Sequence, residues 1–404
     1  MKYLLLCVLV SVALCVNANK SDTSKPRIHY VNTSFENASP ANWEIGPGDS
    51  LTVSLVYDYE RSSPNRSNSH WHYQVEAEKG MDIIVTMQNF NNIWNGMRAD
   101  PISERSMCYV SANGKDWKAI ETEVLDGLRL RFKLHMTADK MYLASVEPYD
   151  VSDVENLLRE ISNNPLVDIT SIGKTVEGRN LEIVKIGDEK VPNRILIRVR
   201  AHGFEAGGNW TAQGLIRSIL DGSKESTEFL KRYCLYIMPM ANKDAVARGK
   251  SRFNSRGVDL NRNWQKPPDS LTAPENYALE EWLKKMIAAG KKPDLLLDLH
   301  NDGGGNLHIA RPDVDLSNYL RKMKKFEDLL RKHTWFTEGS TSPQFKNPGA
   351  ISGGLLERYG IDGAVYELNY EWIEGLKKHP FGKDWEDLGN KLRKVFYEYF
   401  GNNG

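Results

Sequence analysis

Polar and apolar residues change their rhythm once along this chain. Between about Ile28 and Val146 they alternate in short runs. LTVSLVYDY, HWHYQVEAE, MDIIVTMQNF, RSMCYVSA, LRLRFKLHM and MYLASVE read as strands of period two. Turn residues separate them, and Asn113-Gly114 in SANGKDWKAI predicts a hairpin turn. Short strands with no helix between them predict a β-sandwich over residues 24–147. His70 and His72 alternate onto one strand face, a spacing that could grip a metal, but their aromatic surroundings read as a half-exposed strand.

From Tyr149 onward the pattern differs. VSDVENLLREISNN is an amphipathic helix opened by a Ser/Asp cap. VDITSIGKT and NLEIVKIG read as paired strands. RILIRVRAH, CLYIMPMAN and PDLLLDLH are nearly continuous apolar strands, the kind buried on both faces. NWTAQGLIRSILDG, ALEEWLKKMIAAG, a long stretch from about Leu316 to His333 and WEDLGNKLRKVFYEYF read as helices, with the strands NLHIA and GAVYELNY among them. Strands alternating with helices predict an α/β unit over residues 149–404: a mostly parallel mixed sheet flanked by helices, preceded by the small all-β sandwich.

A chain of 404 residues exceeds one comfortable core, which agrees with two domains. Lys2 and the apolar run YLLLCVLVSVALCV, with Val16-Asn17-Ala18 behind it, predict a signal peptide over residues 1–18 and a secreted or periplasmic protein. The run falls short of the roughly 20 residues that span a bilayer, so no stable membrane association is expected. Lys+Arg and Asp+Glu number 53 each, which gives no electrostatic ground for a nucleic-acid partner. Cys108 and Cys234 would remain in the mature chain and predict no disulfide framework. The N-x-S/T triplets at Asn32, Asn37, Asn65 and Asn209 are those an Asn/Ser/Thr-rich chain produces by chance.

The candidate chemistry lies at the carboxyl ends of the buried strands, where open α/β sheets place their sites. RILIRVR runs into His202 and Glu205, DLLLDL into His300, and GAVYEL carries Glu367. Between them, GKSRFNSRGVDLNRNW holds Arg252, Asp259, Asn261 and Arg262. Two imidazoles and a carboxylate suit Zn²⁺ with a fourth position open to water. Gly203, Gly207 and Gly208 would let the first pair bend toward one ion. Arg248 and Arg256 compete with Arg252, and Glu371 competes with Glu367; Asp298 is a possible partner of a ligand, and His308 and His333 read as structural.

SIGKTVEGRNLEIVKIG, HGFE, RFNSRGVDLNRNW, DLH and YELNY, in that order, resemble the zinc metallocarboxypeptidases of the carboxypeptidase A type. RVRAHGFEAGGNWTAQGLI is most similar to the branch related to cytosolic carboxypeptidases, which also carries a β-sandwich before the catalytic domain. The resemblance implies a carboxypeptidase-like fold and one Zn²⁺ per chain held by His202, Glu205 and His300. It implies Glu367 as general base, Arg252 as the group that polarises the scissile carbonyl, and Asn261 and Arg262 as the grip on a substrate's free carboxylate. Asp259 would accept a hydrogen bond from a zinc-bound His. The implied partner is a peptide with a free carboxylate. PQFKNPGAISGG lacks the mobile Tyr of the carboxypeptidase A branch, and Lys346 there could favour an acidic side chain. Two alternatives stay open: an amidase on γ-glutamyl or cell-wall peptides, and an inactive binding protein on the same scaffold.

Overall fold

The computed structural model describes residues 27–311 and 316–401. The expected signal peptide lies outside them. The first half is two five-stranded sheets. One orders Ile28–Asn32, His72–Ala77, Lys140–Ala144, Met107–Ser111 and Lys118–Glu121; the other orders Glu123–Leu125, Arg129–His135, Asp82–Gln88, Ser50–Leu55 and Ala41–Gly46. The period-two pattern is the cause. Leu51, Val53 and Leu55 point inward while Thr52 and Ser54 do not, and they meet Ile83, Val85, Leu130 and Leu143 in one core. Each such side chain contributes about 1.5–3 kcal/mol by leaving water.

Two local expectations need correction. The connection holding Asn113-Gly114 is longer than a two-residue turn, running from Ser111 to Lys118; Asn113 Oδ1 accepts from the Lys115 and Asp116 amides and closes a wider loop. The tight hairpin turn is Asn95-Gly96, with φ of 51° and 76°, joining Ile93–Trp94 to Met97–Arg98. These strands belong to a four-stranded sheet with Asp58–Tyr59 and Arg66–Ser67. His70 and His72 are buried, not half-exposed. Burial lowers their pKa values to about 4 and about 3, so both are neutral; the His72 ring meets Phe35 and Trp117 edge-on.

The second half is a seven-stranded sheet ordered Val167–Lys174, Asn180–Ile186, Tyr233–Met238, Asn193–Val199, Leu295–Asp302, Asp362–Asn369 and Leu307–Ile309. Its four central strands are parallel, and antiparallel strands close both edges. Alternate residues of the apolar strands feed two cores. Ile195, Ile197 and Leu297 pack with Leu215, Phe326 and Leu388; Leu196 and Leu296 pack with Leu279, Leu283 and Leu355. That two-sided burial is why these strands read as unbroken apolar runs. The helix Ile351–Tyr359, which begins inside PQFKNPGAISGG, is not among the helices that the periodicity predicts. Gly354 is needed there: a Cβ would lie 2.2 Å from the Trp264 carbonyl oxygen.

The halves are joined by specific bonds. Asp58 Oδ2 accepts from the Arg252 and Phe253 amides at 2.8 and 3.2 Å. Ser251 Oγ accepts from the Ser69 and His70 amides at 2.9 and 3.0 Å. Ser103 and Ser106 hydroxyls donate to the Glu371 carboxylate, which removes Glu371 as a rival of Glu367. Asn37, Asn65 and Asn209, three of the four glycosylation triplets, are buried.

Asn37 Nδ2 also donates to Asp150 Oδ1 at 2.6 Å. Burial, and then the Asp153 carboxylate, push Asp150 from 3.8 to about 7. The folded chain thus favours the protonated form more than the unfolded chain does. The resulting stability is complete below about pH 4 and is lost as pH rises through 7. Asp150→Asn keeps the acceptor for Asn37 and removes the charge. Urea unfolding at pH 8 should show the variant more stable by about 4 kcal/mol, with the difference fading toward pH 4. Equal stability at both pH values would contradict the shift.

Candidate metal centre and catalytic site

His202 and Glu205 sit in the turn between the strand Asn193–Val199 and the helix Gly207–Ile219. The glycines here act differently from expectation. Gly207 and Gly208 lie inside the helix, and a Cβ on Gly207 would lie 2.6 Å from Asn301 Nδ2. They permit close packing, not a bend. The left-handed residue is Arg200, φ 60°, whose Nε donates to the Gly203 carbonyl and stabilises the turn. His300 lies near the carboxyl end of the neighbouring parallel strand Leu295–Asp302, so parallel pairing brings it to the same edge as the turn after Val199.

The donor atoms of His202, Glu205 and His300 lie within 4.8 Å of one another and all three residues are buried. Glu205 Oε1 is 2.7 Å from His202 Nδ1, and Oε2 is 2.8 Å from His300 Nδ1. The two Nδ1 atoms are 3.2 Å apart. Their outer nitrogens are engaged: His202 Nε2 with Asp259 Oδ1 at 2.9 Å, His300 Nε2 with Asp298 Oδ2 at 2.7 Å. An ionised carboxylate only accepts, so each Nε2 carries a proton, and with a cation in place of the proton shared with Glu205 each Nδ1 would turn a lone pair inward. Two imidazole nitrogens and a carboxylate facing one point suit positive charge. Zinc–nitrogen bonds of about 2.0–2.1 Å at a tetrahedral angle separate two nitrogens by about 3.3 Å, so the residues fit the ion.

The electrostatics agree. Burial raises the Glu205 pKa, but His202 and His300 outweigh it and bring it to about 2. Burial likewise opposes ionisation of Asp259 and Asp298; Arg252 with His202, and Arg198 with His300, hold both well below the usual range. Burial lowers His300, yet Glu205 and Asp298 overcome it and raise it well above 6.5. The field that retains a proton there also favours a cation.

Arg252 Nε donates to Asp259 Oδ2 at 2.9 Å, which ties the arginine to the His202 partner. Arg248 instead pairs with Glu177 at the surface. Asn261 Oδ1 accepts from Arg198 Nη2 at 3.3 Å and from the Ile351 amide at 3.1 Å, which assigns the amide and leaves its NH₂ to donate. Arg262 Nη1 donates to the Asn261 carbonyl. Glu367 stands in register with His300 on the adjacent strand. Burial, then the Asp302 carboxylate, raise its pKa well above 4.5 against the pull of His300 and Arg252. His308 Nε2 lies 3.8 Å from Glu367 Oε1, so His308 belongs to the site's wall.

Arg198 escaped the sequence reading, and Asp298 was only a possible partner. A usable signal existed. Residues two apart on a strand share a face, so Asp298 and His300 point the same way. A guanidinium inside RILIRVR needs an acid across the sheet, and Arg198 stands in register with Asp298.

Residues 154–305 match the family model described as zinc carboxypeptidase, Peptidase_M14. An uncharacterized protein of Zymomonas mobilis is 26% identical over 304 residues, 72% of this chain and 77% of that protein. Cytosolic carboxypeptidase 1 of Danio rerio is 28% identical over 283 residues, 64% of this chain, which spans only 23% of that protein. A metallo-carboxypeptidase structure from Burkholderia cenocepacia shares the fold at TM-score 0.81 and 19% identity, over 92% of this chain and 98% of that one. The segment that is similar to the zinc carboxypeptidase model of the peptidase M14 family runs through His202, Glu205 and His300.

Proposed function

We propose that the protein is an exported carboxypeptidase. It uses one zinc ion, held by His202, Glu205 and His300, to release C-terminal amino acids from peptides with a free carboxylate. The convergence of those three donor atoms, each imidazole backed by a carboxylate, carries the reading. Bound zinc makes water acidic enough to serve as hydroxide near neutral pH. Glu367, with its raised proton affinity, takes the proton from the attacking water and returns it to the leaving amine. Arg252, held by Asp259, donates to the scissile carbonyl oxygen as charge builds on it. The Arg262 guanidinium and the Asn261 amide grip the terminal carboxylate. Asp259 keeps the His202 tautomer that leaves Nδ1 free for metal.

A cavity of about 320 Å³ beside His308 is lined by Arg311, Lys346, Ser352 and Gly353. Arg311 Nε is buried without a hydrogen-bond partner among the described residues. An acidic C-terminal side chain, or a γ-glutamyl carboxylate, would supply that acceptor. For export, the predicted signal at residues 1–18 is the support; N-terminal sequencing of the mature chain tests it.

The protein purified without chelator should contain one zinc per chain by elemental analysis. Chelation should abolish amino-acid release from free-carboxylate peptides, zinc should restore it, and C-terminally amidated peptides should resist cleavage. Hydrolysis that persists after zinc removal would sink the mechanism. Tight peptide binding without turnover would favour the inactive scaffold instead.

A further inference from the structure

We infer that Trp94 is a positioning residue of the peptidase site, supplied by the β-sandwich half; the inference rests on the carboxypeptidase reading above. Arg252 Cζ lies 3.9 Å from the centre of the Trp94 ring, and Arg262 Cζ lies 5.1 Å from it. These are the two cations assigned to the scissile carbonyl and the terminal carboxylate. They repel each other, and Arg252 helps to lower the pKa of Arg262 after burial itself. The electron-rich indole face attracts both and offsets that repulsion. Arg252 is then held twice, along one edge by Asp259 and on its face by Trp94. Its terminal nitrogens remain to donate.

The hairpin that carries Trp94 is built to hold it still. Asn95 and Gly96 take positive φ in a two-residue turn that matches strand twist. The Asn95 amide donates to Asn65 Oδ1 at 2.9 Å, and Ile93 pairs with Arg66. The same small sheet grips the loop under Arg252. Asp58 accepts from the Arg252 and Phe253 amides, and the Arg61 amide donates to the Gly257 carbonyl at 2.8 Å. Residues outside the segment that matches the family model therefore touch both the backbone and the side chain of Arg252. Glu60 and Arg61 also face Arg262 and Lys266 across a cavity of about 700 Å³, so the β-sandwich half forms one wall beside the arginines.

Trp94→Ala in the full-length, zinc-loaded protein should lower kcat/KM about 10-fold, as expected for the loss of two partly exposed cation–π contacts. Through Arg252 the loss should appear in kcat, and through Arg262 in KM. Trp94→Phe should recover most of it, since a phenyl ring keeps a π face. Binding of N-acetylglutamate to the metal-free protein, measured by calorimetry, should weaken in Trp94→Ala and not in Trp94→Phe. Zinc content and unfolding midpoint should not move. If Trp94→Ala does not fold, Trp94→Leu takes its place, with apolar bulk and no π face. Kinetic constants and binding within twofold of wild type would overturn the inference, as would equal losses in the Ala (or Leu) and Phe variants. A wild-type protein without zinc-dependent turnover would instead refute the carboxypeptidase reading, while the binding measurement still reports on Trp94.

Discussion

Glu367→Gln is expected to reduce kcat by about 10²- to 10⁴-fold while zinc stays bound at one per chain. Gln preserves the shape and the ability to hydrogen-bond but cannot take a proton. Glu367 lies in register with His300 yet is not among the three converging donor atoms, so metal content and catalysis should separate in this variant. Burial and the Asp302 carboxylate raise its affinity for a proton, the property a shuttle requires at neutral pH. KM should change little, because the proposed function assigns the terminal carboxylate to Arg262 and Asn261. Steady-state kinetics with elemental analysis on the same sample checks both halves. A kcat within tenfold of wild type would remove Glu367 from its role, and simultaneous loss of zinc would make it a ligand.

Arg198→Met is expected to destabilise the fold by about 3–5 kcal/mol. Arg198 and Asp298 side chains are wholly buried, joined by two bonds at 2.7 and 2.6 Å. Met fills similar space but leaves the Asp298 carboxylate in the sheet without its cation. The change should also reach the site. Arg198 helps hold the Asn261 amide oxygen, and Asp298 backs His300. Substrate binding should therefore weaken in the fraction that remains folded. Arg198→Met with Asp298→Asn should regain much of the stability, since a neutral pair carries no stranded charge. Denaturant unfolding of the three proteins measures the effect. A single variant that unfolds at the wild-type midpoint would show that the buried pair contributes nothing.

How far the chain could be read depended on how local the cause was. Period-two alternation in LTVSLV needs only one wet and one dry face, and the strand formed as expected. The apolar strands RILIRVR and PDLLLDLH, buried on both faces, were equally legible, and with them the placing of His202, Glu205 and His300 at strand tips. Gly207 and Gly208 misled because their role is set by Asn301 and Leu299, far along the chain. Asn113-Gly114 misled because side-chain acceptors closed a wider loop there, whereas Asn95-Gly96 formed the tight turn. The helix Ile351–Tyr359 was illegible because Gly354 is set by a distant backbone, the Trp264 carbonyl.

By itself the sequence determined the alternation of elements, the set of chemically able residues and their order, since propensity and periodicity act between near neighbours. Tertiary structure alone decided which nitrogen of each imidazole faces inward. That choice depends on Asp259 and Asp298, carboxylates delivered by a loop and a strand whose positions no short-range pattern encodes. It also decided that an indole from the first half lies over two guanidiniums of the second, because an inter-sheet docking angle is the sum of many packed contacts and has no period to read.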